Sequence, residues 1–354
     1  MIRSSLYLGK NVLLSNINRL SFPYKLTFAV TSNCNSHCSA CNIWQKKEKD
    51  ELSLEEIDIF FKKNRFSWVN LTGGEPLLRK DFVDIIYSIW KRNPNLFFLN
   101  FTSNGLQPAK IYKQTRKILS FLSIPKFAVG ISIDGYPGLD EKIKGRKGSY
   151  KRALGSFLNL KRLFKGSGYQ PFLSYTILPE NIGCLQETIK SLSSRVSNFK
   201  LKELNLNLFH FSPHYYNNLN YDLSLDFFQG AIKEVKNYLR IEDKKNNLGL
   251  DNWLKKRYLK LLIKFIQGHK SPLPCQALKA SCYIDPLGNV YPCAMYNKKI
   301  GNIRESNYQL ITIWNSKEAE EAREKIKNYH CPQCWTACEA YQTILGNFIK
   351  SQLL

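Results

Sequence analysis

Cys34, Cys38 and Cys41 bring three thiols into residues 34–41, directly after an apolar run. Three residues separate the first pair and two the second, so one tight loop can aim all three sulfurs at a point. Three soft ligands suit an iron–sulfur cluster that keeps one iron free of protein. A closed structural zinc site takes four ligands and leaves this trio one short. A zinc knuckle completed from elsewhere, or unrelated buried thiols, are the competing readings, and spacing alone favours the open cluster narrowly. A second group holds six of the ten cysteines: Cys275, Cys282 and Cys293, then Cys331, Cys334 and Cys338. In an arbitrary protein two distant cysteine groups read as a zinc ribbon. Cys184 falls in a helical pattern and reads as core.

Polar and glycine-rich turns follow several apolar runs. Thr72-Gly73-Gly74-Glu75-Pro76 has two glycines that let backbone approach a ligand closely and a carboxylate that can accept. Thr102-Ser103-Asn104-Gly105 and Ser132-Ile133-Asp134-Gly135 each read, in isolation, as turns that end a strand. Asn181 follows a further run, and His210, His214, Tyr215 and Tyr216 offer a cavity lining.

The elements that must position these groups alternate. Lys25–Val30, Trp68–Leu71, Phe97–Phe101, Phe127–Ile133, Phe172–Ile177 and Leu204–Phe209 read as buried strands. Ser53–Asn64, Phe82–Arg92, Ala109–Leu122, Ser149–Lys165 and Cys184–Ser194 read as helices, the first opened by a Ser53/Glu56 capping box. Alternation at this spacing predicts an α/β fold with a parallel sheet and right-handed crossovers. In such folds chemistry sits at the carboxyl ends of the strands, where the turns fall. Periodicity does not separate an open sheet from a barrel. The expected organisation is an N-terminal helical segment (1–23), a core (24–210), a helical connection (211–270) and a cysteine-rich C-terminal domain (271–354).

Bulk properties narrow the class. A chain of 354 residues is large for one compact core. No apolar run approaches the ~20 residues a bilayer needs, and the N-terminus lacks a signal-peptide pattern. Its short amphipathic helix is expected to pack on the protein. Ten cysteines without a signal argue for metal rather than disulfides and for a reducing cytoplasm. The charge of +24 supplies affinity for phosphate, yet no nucleic-acid-binding signature accompanies it. An acidic electron donor or acidic substrate fits it as well.

Cys34-Asn-Ser-His-Cys38-Ser-Ala-Cys41, followed one βα unit later by Gly73-Gly74-Glu75-Pro76, resembles the radical S-adenosylmethionine (SAM) enzymes. The resemblance departs at Ala40, where relatives often have an aromatic ring, and Trp44 could supply one. It implies a partial (β/α)6 TIM-like barrel in which Cys34, Cys38 and Cys41 hold a 4Fe–4S cluster whose fourth iron chelates SAM. It further implies that Gly73, Gly74 and Glu75 meet the amino group of the methionine moiety. Ser103, Asn104, Ser132 and Asp134 would meet the ribose and carboxylate or face substrate, and Asn181 would lie near the ribose or adenine. Asp140 to Gly145 stands where many relatives carry His-Asp-x-Ile-Arg-Gly, with the His and Arg replaced. The last six cysteines resemble SPASM or twitch extensions, which implies one auxiliary 4Fe–4S cluster. Cys275, Cys293, Cys331 and Cys334 are the favoured ligands, and Cys282 and Cys338 are further candidates. A flavodoxin- or ferredoxin-like donor and a peptide, small-molecule or lipid-precursor substrate follow. The alternatives are a non-catalytic zinc module on a degenerate core and an RNA-modifying relative.

Overall fold

The computed structural model describes residues 2–46, 48–219, 223–243 and 249–354. Parts of the expected segments 1–23 and 211–270 (residues 1, 220–222 and 244–248) therefore lie outside the description. Helix α1 (Ile2–Ile17) leads into β1 (Lys25–Ala29), α2 (Leu54–Lys63), β2 (Trp68–Thr72), α3 (Phe82–Arg92) and β3 (Phe98–Ser103). Next come α4 (Pro108–Leu119), β4 (Lys126–Ser132), α5 (Pro137–Lys144), α6 (Ser149–Leu163), β5 (Gln170–Ile177), α7 (Leu185–Arg195) and β6 (Leu204–Leu208). Helices α8 (Leu225–Asp243) and α9 (Leu250–Gly268) follow, then β7 (Ser281–Ile284), β8 (Asn289–Tyr291) and β9 (Gly301–Asn302). Helices α10 (Leu310–Trp314), α11 (Lys317–Lys327), α12 (Ala337–Leu345) and α13 (Phe348–Leu353) finish the chain.

One nine-stranded sheet runs β6-β5-β4-β3-β2-β1-β7-β8-β9, with β1 to β6 all parallel. β6 and β9 are its ends, so the barrel is open. The cysteine-rich segment extends the sheet directly: β7 pairs parallel with β1, Lys25 opposite Ser281, and β8 and β9 continue antiparallel.

Two-residue alternation sorts the strands' side chains. Leu26, Phe28, Val69, Leu71, Leu99, Phe101, Leu173 and Leu206 are buried against the helices, Phe28 meeting Phe60 and Phe61, and Phe82 meeting Phe101. Each such side chain contributes roughly 1.5–3 kcal/mol on burial. The concave face is polar. The Asn100 amide donates to Asn70 Oδ1 at 2.6 Å, and Asn207 donates to Ser174 Oγ at 2.8 Å. Thr102, Ser174, Asn205 and Asn207 stay partly exposed there, lining an accessible lumen.

The Ser53/Glu56 capping box is present. Helix α5 was not expected, because eight residues are too few for a periodic signal. Pro137 in its first turn and Gly145 at φ 58 bound it. Helix α1 does pack on the protein, through Leu8 and Val12 against Leu20, Tyr24, Trp68 and Ala280. Among the described residues no helix is long and apolar enough to cross a membrane.

Candidate functional site: two thiol groups on a polar lumen

The first cysteine loop leaves the carboxyl end of β1 and is held from three sides. Glu51 Oε1 accepts from Thr31 Oγ1, Ser32 N and Ser32 Oγ, at 3.0, 2.7 and 2.8 Å. From the side of β2, Gly74 N donates to Thr31 O and Glu75 N to Asn33 O, both at 2.8 Å. From α5, Lys144 O accepts His37 N and Ser36 Oγ, and Ile143 O accepts Ser39 N. All three thiols are buried enough to push their pKa values up, Cys34 and Cys41 to about 12, with Cys38 adding to the shift of Cys34, and Cys38 and Cys34 to that of Cys41. The ring of Trp44 packs on His37, within the loop, at 4.5 Å between centroids.

The two glycines have a different first duty from the one read in the sequence. A Cβ on Gly73 would stand 2.3 Å from Thr31 O, and one on Gly74 2.3 Å from Asn33 O. Bare backbone is needed there so that the turn after β2 can lie against the cysteine loop. Glu75 is 2 % exposed, and its carboxylate accepts from Asn104 N at 2.7 Å and Leu77 N at 3.3 Å. Burial pushes its pKa up to about 7, against the pull of these donors. Asn104 also donates to Asn35 Oδ1 at 2.7 Å, and Ser103 Oγ accepts from Gly105 N at 3.1 Å. The ends of β2 and β3 thus close on the first cysteine.

At the ends of β4 and β5 the polar groups brace one another. Asp134 Oδ1 accepts from Thr176 N, and burial raises its pKa to about 6. Asn181 is fully buried; its amide donates to Asp134 O and Thr176 O while its oxygen accepts from Leu178 N. Those three bonds occupy Asn181 with backbone. Asp140 and Lys144 form an ion pair at 3.0 Å with side chains 0 % and 1 % exposed. Lys144 Nζ also donates to Ser132 O at 2.6 Å, and Asp140 accepts from Asp134 N and Ser149 Oγ. The Lys144 cation is close enough to Cys38 to oppose the rise that burial imposes on that thiol.

The second group divides. Burial raises the pKa values of Cys275, Cys293 and Cys334, and neighbouring cysteines add to it: Cys331 acts on Cys275 and Cys334, and Cys275 and Cys334 act on Cys293. Cys338 stands apart: its thiol accepts from the Asn70 amide at 3.6 Å. Lys25, buried at the start of β1, donates to Cys338 O and, at 2.7 Å, to Gln342 Oε1. Cys282 is 0 % exposed on β7, in the apolar core beside Leu26 and Ile284, and Glu339 is the charge that reinforces the burial effect on it. Cys282→Ala is expected to leave iron content unchanged and to cost roughly 1 kcal/mol in a denaturant titration. Cys184 is half-buried at the N-cap of α7 rather than inside it.

One loop that sequence reading left almost unassigned joins the two thiol groups. Asn42 N donates to Tyr216 O at 2.8 Å, and the Asn218 amide donates to Ala40 O at 3.1 Å. At its other side Ser212 Oγ donates to Ala294 O at 2.6 Å, and His214 Nε2 meets Cys293 O at 3.2 Å. Residues 210–218 are thereby a strut between the loops of Cys41 and Cys293. His210 does not line a cavity: Trp335 N donates to its Nε2 at 3.0 Å and Leu208 O accepts from Nδ1, and burial lowers its pKa to about 4. Tyr215 hydroxyl reaches Thr72 Oγ1 at the lumen edge. Asn218 is 1 % exposed and also donates to His210 O and accepts from Ser212 N. Asn218→Ala is expected to destabilise the chain by about 1–3 kcal/mol, read as a lower urea midpoint.

The donor chemistry fits iron–sulfur cores. All ten cysteines are free, and among the described residues no three His, Cys, Asp or Glu side chains converge as a single ion requires. Ligands to a cluster bind different irons and stand further apart than ligands to one ion.

Comparison with known proteins agrees. Residues 28–192 match the family model described as the radical SAM superfamily, and residues 275–339 match that of an iron–sulfur cluster-binding domain, SPASM. The chain is 25% identical over 335 residues to mycofactocin maturase MftC of Mycobacterium tuberculosis, covering 89% of this chain and 76% of that protein. It is 32% identical over 117 residues to a GTP 3',8-cyclase of Yersinia pestis, covering 31% of this chain and 34% of the cyclase. The matches to such cyclases and to molybdenum cofactor biosynthesis proteins span from 20% to 46% of their lengths. Among solved structures, Streptococcus suis SuiB bound to precursor peptide SuiA superposes with a TM-score of 0.59 at 15% identity, covering 89% of this chain and 69% of SuiB.

Proposed function

We infer the reaction from one premise: the chain belongs to the radical SAM superfamily and carries a C-terminal iron–sulfur cluster-binding domain. Its cofactors are SAM, a 4Fe–4S cluster and auxiliary iron–sulfur. When bound, the first cluster supplies the electron that breaks a sulfur–carbon bond of SAM and releases a 5′-deoxyadenosyl radical. In this reading Cys34, Cys38 and Cys41 hold that cluster, and Cys275, Cys293, Cys331 and Cys334 hold a single auxiliary one. Cys338, turned toward Asn70, is left for the lumen. A flavodoxin- or ferredoxin-like protein is the proposed donor, and the positive charge of the chain suits an acidic partner.

Glu75 is assigned to the amino group of SAM. A carboxyl group with a pKa near 7 is half protonated at neutrality, and only its ionised form attracts an ammonium. SAM affinity is therefore expected to fall about tenfold per unit as pH drops below 7, and to be flatter in Glu75→Gln. Equilibrium dialysis between pH 5.5 and 8 reads the difference. The same raised pKa makes Glu75 cost no stability below its unfolded value near 4.5. The cost grows as pH rises toward 7 and is then constant.

The substrate proposed is a peptide, and the lumen carries that proposal. Its partly exposed face presents Asn100, Thr102, Ser174, Asn205 and Asn207, neutral amides and hydroxyls that pair with peptide groups. A nucleoside triphosphate calls instead for convergent Arg and Lys. MftC, alike over most of both chains, is named a maturase, and SuiB was solved with a precursor peptide, which supports the reading. The test is anaerobic turnover with reductant and SAM, comparing a short peptide encoded beside the gene with GTP. Peptide-dependent 5′-deoxyadenosine carrying deuterium from labelled peptide is expected. Stimulation by GTP alone would refute it.

A further inference from the structure

Helix α1 packs on the protein through Leu8 and Val12, yet it turns a second apolar face to the outside. Ser4 and Ser15 are buried, while Ile2, Leu6, Leu13 and Ile17 are 78%, 69%, 71% and 76% exposed. Spacings of four, seven and four residues put those four aliphatics on one stripe. Arg3 and Lys10 stand one position around the helix from it, exposed, and α1 contains no acidic residue. The stripe continues onto α13. Asn16 donates to Leu345 O at 2.9 Å and accepts from Phe348 N at 2.8 Å, so the two helices share a surface. There Ile349 and Leu353 are 75% and 82% exposed, and Lys350 beside them is close enough to Lys279 to act on it electrostatically. Lys279 O in turn accepts from Leu20 N, just past α1. At this end Glu320 is already paired with Arg19 and Arg323.

We propose that the joint face of α1 and α13 docks on an anionic lipid surface, aliphatic side chains inserted and Arg3, Lys10, Lys279 and Lys350 at the headgroups. Exposed aliphatics flanked by one sign of charge are the pattern of helices that lie in a membrane interface. A second copy of the chain fits less well, since each copy brings a charge of +24 and neither α1 nor α13 contains an acidic residue. Helix α1 leads to the amino end of β1 whereas the first cysteine loop leaves its carboxyl end, so docking and catalysis occupy different ends of that strand.

The experiment is vesicle flotation of the full chain, anaerobically purified, with phosphatidylcholine alone and with phosphatidylcholine containing phosphatidylglycerol. Binding to the anionic vesicles is expected to exceed neutral ones by roughly tenfold and to collapse at high salt. Leu6→Ser/Leu13→Ser and, separately, Arg3→Glu/Lys10→Glu should each abolish it without altering the circular dichroism or 5′-deoxyadenosine formation, because all four side chains are exposed. Absence of binding to anionic vesicles overturns the proposal. So does binding that survives both variants, or a dimer in sedimentation that the serine variant dissolves.

Discussion

Replacing Cys34, Cys38 and Cys41 together with alanine is expected to abolish 5′-deoxyadenosine formation, a loss of at least a thousandfold, while the chain stays folded. The three buried thiols of one loop are the whole protein contribution to the first cluster in this reading. Iron should fall by about four per chain and leave the auxiliary iron in place, because Cys275, Cys293, Cys331 and Cys334 come from other segments of the chain than the substituted loop. Iron and sulfide analysis of anaerobic preparations, alongside chromatography of the nucleoside, reads both halves. Zinc in place of iron in the parent chain would restore the zinc-module alternative.

The second large effect is on stability. Lys144→Met should cost about 3–5 kcal/mol, because it leaves Asp140 buried without its cation. Its reach goes beyond the pair: Lys144 ties Ser132 at the end of β4, and Asp140 ties Asp134 and Ser149. Lys144 O also holds Ser36 and His37 in the cysteine loop, so loosened α5 should lower iron retention too. Lys144→Arg keeps a cation and should recover most of the loss. Lys144→Met with Asp140→Leu should be more stable than Lys144→Met alone, since both charges leave together. Urea midpoints of the four proteins decide this; equal stability of Lys144→Met and the parent would show the pair to be dispensable.

The six βα units were legible because each strand is a short, largely apolar run, in places alternating with polar residues, and each of the long helices is periodic. Phe82–Arg92 was read to the residue, and the Ser53 cap is present. Helix α5 was too short for periodicity, and what it does depends on burial that no local pattern reveals. The clustering of Cys34, Cys38 and Cys41 was visible because their spacing is local. Cys282 and Cys338 share the same stretch of sequence as Cys275 and Cys293 or Cys331 and Cys334, yet β7's alternation turns Cys282 into the core and α12 carries Cys338 toward Asn70. Only tertiary placement separates them. The strut at residues 210–218 works through main-chain carbonyls of Ala40, Cys293 and Ala294, which sequence does not distinguish. Lys25, which opens the first strand, is buried with its ammonium over Trp68, a placement no local pattern reveals.

The account stands on an iron that the protein leaves open for SAM. Electron–nuclear double resonance on the reduced protein, with SAM carrying nitrogen-15 at the amine and oxygen-17 at the carboxylate, tests that point most directly. Hyperfine coupling from both labels to the cluster, lost when Cys34, Cys38 and Cys41 are replaced, is the predicted result. A reduced cluster whose spectrum is indifferent to labelled SAM would contradict it.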